Sequence, residues 1–168
     1  MLDTQAYLCI YIYPMTPPSL KERAGCAPLL ELPCACASLR RAARAVSQLY
    51  AQEMRRSRLE PGQFGLLMAL AKAGEITQGR LGQLLAIDST TLTRTLAPLR
   101  ARGWIAAKPG ADRRQRRLRL TPAGRRQLRR ALPYWERAQR RLRRAVGGED
   151  WSHLLALLPQ VTRRAQQA

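Results

Sequence analysis

Residues 104–124 read WIAAKPGADRRQRRLRLTPAG. Trp104, Ile105 and Ala106 suit a short strand, and Pro109-Gly110-Ala111-Asp112 suits a turn. From Arg114 to Leu120 the pattern alternates, with Leu118 and Leu120 on one face and Arg117 and Arg119 on the other. Thr121-Pro122 then opens a helix, the hydroxyl as cap and the proline in the first turn, where its missing amide costs nothing. A β-hairpin followed directly by a helix start is therefore predicted.

Upstream, the period is helical. A first helix is predicted over about Ser38 to Arg58, with Leu39, Ala42, Ala43, Val46, Leu49, Tyr50 and Met54 on one face. Pro61-Gly62 breaks the chain and starts a second helix that buries Phe64, Leu67, Met68 and Leu70 and ends before Gly74. A short third helix, about Gln78 to Ala86, buries Leu81, Leu84 and Leu85. Asp88 caps a fourth, which carries Leu92, Leu96 and Leu99 and ends at Gly103. Two short helices joined by a tight turn, the second rich in hydroxyls, form a helix-turn-helix, and the hairpin behind it is a wing.

Downstream, a helix runs from Pro122 to about Val146. Leu128, Leu132, Trp135, Leu142 and Val146 follow a seven-residue repeat, beside a row of small residues, Ala131, Ala138 and Ala145. Pro133 is expected to kink it. A last helix begins near Asp150, carries Trp151, Leu154, Leu155, Leu158 and Val161, and is expected to bend or shorten at Pro159. The apolar faces of the first and last two helices exceed what the central module covers, which points to a two-fold homodimer.

The chain has 168 residues and a net charge of +19. Residues 1–33 hold two basic and three acidic residues, so the positive charge lies entirely beyond them. Between Arg113 and Arg144 there are fourteen arginines and one acid, Glu136. Such a stripe favours a polyanion, because each neutralised phosphate releases counterions. No apolar run approaches the roughly 18 residues of a spanning helix. The apolar run Ala6–Tyr13 has no basic residue before it, unlike a signal peptide. Four cysteines do not make a disulfide scaffold, so a cytoplasmic location is expected. Pro14, Pro17, Pro18, Pro28 and Pro33 mark residues 1–33 as an irregular arm, in which Met15 is an alternative start.

The order of elements, with the strings PGQFGLL from Pro61, LGQLLAIDSTTLTR from Leu81, LRARGWI from Leu99 and Asp112-Arg-Arg followed by Leu120-Thr-Pro-Ala-Gly, resembles the MarR family of bacterial transcriptional regulators. The resemblance covers about residues 36–162. It implies a mainly α fold: a winged helix-turn-helix with a two-stranded β wing and a helical dimerisation region. The division is then an arm over 1–33, a first dimerisation helix over 34–60, the DNA-binding module over 61–121 and carboxy-terminal dimerisation helices over 122–168.

The residues expected to meet DNA follow. Ser89, Thr90, Thr91, Thr93 and Arg94 occupy the first turns of the recognition helix; hydroxyls suit phosphates and base edges, and Arg94 suits guanine. Helix capping is the competing role for Thr90 or Thr91. By the resemblance, Arg114 enters the minor groove and Asp112 holds it in place. Arg113 and Arg116 suit phosphates, as do Gln78 and Arg80 at the start of the third helix. Arg117 or Arg119 is expected to be merely solvated, and Arg125, Arg126, Arg129 and Arg130 form a solvated face.

No phosphate-binding glycine loop, nucleophile elbow or paired carboxylate is present, and the single histidine, His153, has no ligand-spaced neighbours. Neither an enzyme nor a cofactor is expected. Cys34-Ala-Cys36 is the one chemically suggestive pair: a soft-metal site or an inter-subunit disulfide, against simple packing at the helix entry. The resemblance also implies a small aromatic or phenolic effector, with Tyr50, Phe64, Trp104 and Trp135 as either pocket or core. The expected function is a homodimeric repressor on a pseudo-palindromic double-stranded operator. Its alternatives are a thiol- or metal-responsive regulator and an architectural protein that coats nucleic acid through charge.

Overall fold

The computed structural model describes residues 34–109 and 116–168. The arm expected over 1–33 and the wing residues Asp112, Arg113 and Arg114 lie outside the described residues. The chain divides into two units, residues 1–41 and 42–168. Of the first, the described part forms the opening turns of helix α1 (Ala35–Met54) and is exposed. The helix begins earlier than Ser38, because the Ser38 amide donates to the Cys34 carbonyl at 3.0 Å. Nothing between Pro33 and Leu39 opposes a helical turn. Cys36 therefore lies inside the helix rather than before it.

In the second unit α1 ends in a 3₁₀ turn, Arg55–Ser57, followed by α2 (Pro61–Ala73), β1 (Glu75–Thr77), α3 (Gln78–Leu85), α4 (Ser89–Ala101), β2 (Ile105–Pro109), β3 (Arg116–Leu120), α5 (Pro122–Val146) and α6 (Gly148–Gln167). The architecture is mainly α with a winged helix-turn-helix, as expected. The sheet differs from the expected two-stranded wing: it has three antiparallel strands in the order β1-β3-β2. Glu75-Ile-Thr77 is too short for a periodic signal, and pairing with β3 creates the strand, Ile76 opposite Leu118. β2 also continues past Ala106, so that Pro109 pairs with Arg116. Pro109 sits at the strand end, where a missing donor is tolerated.

The core gathers Met54, Leu59, Phe64, Leu66, Leu67, Leu70, Leu81, Leu92, Leu96, Leu99, Ile105, Leu118, Leu120, Leu128 and Ala131. Phe64 is buried in the core and stacks on Trp135 at 5.6 Å, while Tyr50, Trp104 and Trp135 are half-buried and pack against the same cluster. Burial pushes the Tyr50 phenol up from its ordinary pKa. Leu84, expected inside, is 61% exposed. Buried Ser57 donates to the Met54 carbonyl at 2.7 Å and accepts from the Leu59 amide at 3.2 Å. Gln127 on α5 donates to the Ser57 carbonyl at 2.6 Å, tying the α1–α2 joint to the long helix.

Gly124, in the first turn of α5, faces the wing. A Cβ there would collide with the Trp104 carbonyl oxygen. Beside it, Thr121 caps α5 by accepting from the Gly124 amide at 3.0 Å, and its hydroxyl lies 2.7 Å from the Gly103 carbonyl. This contact holds the hairpin against the helix.

α5 runs unbroken through Pro133 for 25 residues, roughly 37 Å. Pro133 is exposed, so the Arg129 carbonyl it leaves without a donor lies on the solvent side. α6 likewise continues through Pro159, and the shortening expected there does not occur. Within this chain α6 buries no residue, and Leu155, Leu157 and Leu158 are exposed. Among the described residues no helix is long and apolar enough to cross a membrane.

Candidate nucleic-acid interface

The helix-turn-helix is set by its caps. Thr77 caps α3 by accepting from the Arg80 amide at 3.2 Å. The turn to α4 passes through Ala86 at φ +51°, and the Ile87 amide donates to the Gly82 carbonyl at 2.9 Å. A Cβ on Gly82 would stand 3.0 Å from the Ile87 carbonyl oxygen, so a larger residue would pry the turn open. Asp88 then caps α4, its carboxylate accepting from the Thr91 amide at 2.9 Å. Hydrogen bonding by the Thr91 side chain, and then by its amide, holds the Asp88 carboxyl below its ordinary pKa.

Leu92, Leu96 and Leu99 are all buried, as expected, and this fixes what α4 shows to solvent. At 3.6 residues per turn, Thr90, Arg94 and Ala97 lie opposite that apolar stripe and form an exposed ridge. Among the described residues, the side chains of Thr90 and Arg94 make no hydrogen bond. Ser89 and Thr93 flank the ridge on the α3 side, Thr91 and Thr95 on the α2 side.

The two flanks are different grooves. On the α3 side, Gln78, Arg80, Ser89 and Arg116 of the wing line one open groove of about 960 Å³ with Gln83 and Gln166, and no carboxylate is among its lining residues. On the α2 side, Thr91 and Arg94 share a groove of about 480 Å³ with Glu60 and Gln63. Glu60 is engaged there in a reciprocal capping box with Gln63 at the start of α2. Of the expected DNA-facing residues that are described, the structure thus brings four together on one flank and two on the other.

Thr93 and Gln78 are not independent. Thr93 donates its hydroxyl proton to the Ser89 carbonyl at 2.7 Å and accepts from the Gln78 side-chain amide at 2.9 Å. With its one proton engaged, Thr93 has none to give to a phosphate; its bond to Gln78 joins the two helices of the motif. Gln78 keeps a second amide proton. In the wing, Arg116, Arg117 and Arg119 are exposed. Arg117 is more than solvated, since its Nε lies 2.7 Å from Glu75 Oε1 on β1. That pair depends on the strand the sequence did not reveal. Gln166, near the end of α6, reaches the α3-side groove from a helix assigned wholly to dimerisation; no motif marked it.

Cys34 and Cys36 are both free and exposed. Cys36 lies in the first turn of α1 and Cys34 just ahead of it. Among the described residues no group of three His, Cys, Asp or Glu side chains is placed to hold a metal ion. His153 is exposed.

Fold and site together define a winged helix-turn-helix protein with a basic recognition face. Residues 59–115 match the family model described as MarR family. The fold resembles the Mycobacterium tuberculosis transcriptional regulator MosR in complex with DNA, with 34% identity over 80% of this chain and 97% of that one and a TM-score of 0.72. It also resembles the transcriptional repressor CouR bound to a 23-mer DNA duplex, with 27% identity over 82% and 96% of the two chains and a TM-score of 0.72. YwoH of Bacillus subtilis, an HTH-type transcriptional regulator, is 26% identical over 83 residues, 49% of this chain and 61% of that protein's length. The chain belongs to the MarR family. Its relatives are transcriptional regulators and not enzymes.

Proposed function

We propose that the protein is a homodimeric repressor that reads a pseudo-palindromic operator and is released by a small effector. The observation that carries the reading is the Thr90–Arg94 ridge: it faces directly away from the core, on a helix capped by Asp88 and braced to α3 by Gln78 and Thr93. In this reading Arg94 forks onto a base and Thr90 packs or bonds beside it. Ser89, Arg80, Arg113 and Arg116 take phosphates, Gln78 adds one through its free amide proton, Thr91, whose hydroxyl is engaged by Asp88, serves the cap, and Thr93 sets the angle of the recognition helix. Arg114 enters the minor groove, oriented by Asp112.

Dimerisation is supported by the exposed Leu155, Leu157 and Leu158 on a helix that buries nothing in its own chain. Residues 34–60 and 122–168 supply the dimer helices, and 61–121 the DNA-binding module. Repression rests on likeness to CouR, a repressor. An aromatic or phenolic effector is what family membership suggests; Phe64 belongs to the core, and Tyr50, Trp104 and Trp135 pack half-buried against it, as either core or pocket wall. A cytoplasmic location fits a DNA-binding regulator.

The test is a binding titration on the duplex upstream of the protein's own gene and on a shuffled duplex, near physiological salt. Preference for the native duplex is expected, with Arg94→Ala losing about tenfold or more of it. Equal affinity for both, falling steeply with salt, would favour the architectural alternative.

A thiol-responsive variant of the reading is favoured by the exposure of both Cys34 and Cys36. In this variant the disulfide joins two subunits. Peroxide should then alter operator affinity in the wild type and not in Cys34→Ala/Cys36→Ala.

A further inference from the structure

The carboxy-terminal half of α6 lies beside the helix-turn-helix. Beyond Leu158, the last of the leucines assigned to the second copy, Thr162, Arg163 and Gln166 follow one another at helical spacing and look across an open groove of about 1340 Å³ at Arg80, Gln83 and Leu84. Gln166 passes the edge of that groove into the neighbouring one, where it lies among Gln78, Arg80, Ser89 and Arg116. Arg80, Gln83, Ala86 and Gln166 line both spaces. The last turns of α6 therefore stand over the first helix of the motif, at the margin of the surface that faces DNA.

The charged side chains that line the grooves are all arginines. No carboxylate lines either groove, and the acids of α6, Glu149 and Asp150, lie in its first turn at the opposite end. Arg80 is steered by Gln83, whose side-chain oxygen accepts from it at 3.2 Å, leaving its other guanidinium protons available. Arg163 faces the same groove from the other side and is exposed. Two guanidinium groups across an acid-free channel, with Gln166 as a neutral donor at its mouth, are arranged for a polyanion rather than for each other.

We propose that the last turns of α6 are a third element of the DNA interface, beside the recognition helix and the wing. Arg163 takes a backbone phosphate next to the one taken by Arg80, and Gln166 donates to the same stretch of backbone. The proposal rests on the DNA-binding reading above and adds to it a contact from a helix otherwise assigned to dimerisation. The contact is to phosphate, so it adds affinity and register without adding sequence preference.

A competing role for Arg163 is to complement the carboxy-terminal dipole of α6. Arg164 separates the two. It is exposed, carries the same charge in the same last turns and serves the dipole equally, but it does not line the groove.

The experiment is a salt series of duplex-binding titrations on the full chain, with the native upstream and shuffled duplexes as probes. The variants are Arg163→Ala, Arg163→Lys, Arg164→Ala and Gln166→Ala, with Arg94→Ala as reference and helix content checked by circular dichroism. Arg163→Ala is expected to flatten the dependence of log affinity on log salt by about one unit per protomer, equally on both duplexes. Arg163→Lys should keep most of the slope, Arg164→Ala should change it by less than half as much as Arg163→Ala, and Gln166→Ala should weaken binding a few-fold without changing the slope. Equal effects of Arg163→Ala and Arg164→Ala, no effect of Arg163→Ala, or tighter binding by it would overturn the proposal. A wild type that shows no preference between duplexes defeats the sequence-specific reading alone, because the slopes remain readable; a wild type that binds neither duplex overturns both.

Discussion

Helices α4 and α6 are both amphipathic, and they leave opposite things exposed. α4 buries Leu92, Leu96 and Leu99 in its own chain and shows a polar ridge to solvent. α6 buries nothing and leaves Leu155, Leu157 and Leu158 at the surface. A finished apolar face with a polar ridge is ready for a polar partner such as DNA. An unfinished apolar face requires another protein surface. The contrast sets a reading half that folds on its own side chains against a helical half whose apolar face its own chain leaves uncovered.

The largest expected effect attacks the finished half. Leu99 is fully buried, so Leu99→Ala should lower stability by about 3 kcal/mol through lost transfer energy and the cavity left behind. The loss should be independent of protein concentration in denaturant titration. Leu155→Asp with Leu158→Asp should do the reverse: little change in the fold of the reading half, but a shift from dimer to monomer in sedimentation equilibrium. Concentration-dependent loss in Leu99→Ala, or an unshifted oligomer in the double aspartate variant, would break the comparison.

How much of this was legible in the sequence divides along the same line. The stripe Leu92-Leu96-Leu99, the cap Asp88 and the alternation Leu118–Leu120 are local patterns, and the structure places all of them as read. β1 was not legible, because Glu75-Ile-Thr77 has no period of its own and becomes a strand only by pairing with β3. Leu84 carries the helical spacing of Leu81 yet points outward, since periodicity gives a face but not which neighbour covers it. α1 starts ahead of Ser38 because the apolar spacing that marks the helix begins only at Leu39, while the residues before it form the first turn without a periodic signal of their own. Within the candidate site, residue types were legible and partnerships were not. Nothing in the spacing of Gln78 and Thr93 says that they bond each other, or that Gln166 reaches the groove lined by Gln78 from the far end of the chain.

A smaller effect sharpens the reading half internally. If Gln78 and Thr93 act as one brace, Gln78→Ala and Thr93→Val should not add in native-duplex affinity, with a coupling of about 1 kcal/mol in a double-mutant cycle. Thr93→Ser keeps the hydroxyl and should retain most of the coupling. Additive losses would mean that each residue meets DNA separately.

The smallest effect concerns the cap of the recognition helix. Hydrogen bonds from Thr91, its side chain before its amide, hold the Asp88 carboxyl below the ordinary aspartate range, against a lesser desolvation that raises it. The folded state therefore binds the Asp88 proton less readily than the unfolded state. The stabilisation is complete above the ordinary aspartate pKa of about 3.9 and is lost as pH falls from there through the depressed value. Because the carboxylate is exposed, the effect is modest, and it is isolated by difference. Asp88→Asn keeps an acceptor for the Thr91 amide but has no charge to lose. The melting temperatures of wild type and Asp88→Asn should run parallel from neutral pH down to the ordinary aspartate range and converge only below it. Convergence beginning nearer neutrality would mean that the carboxylate is not held by Thr91, and that α4 enters its turn by some other cap.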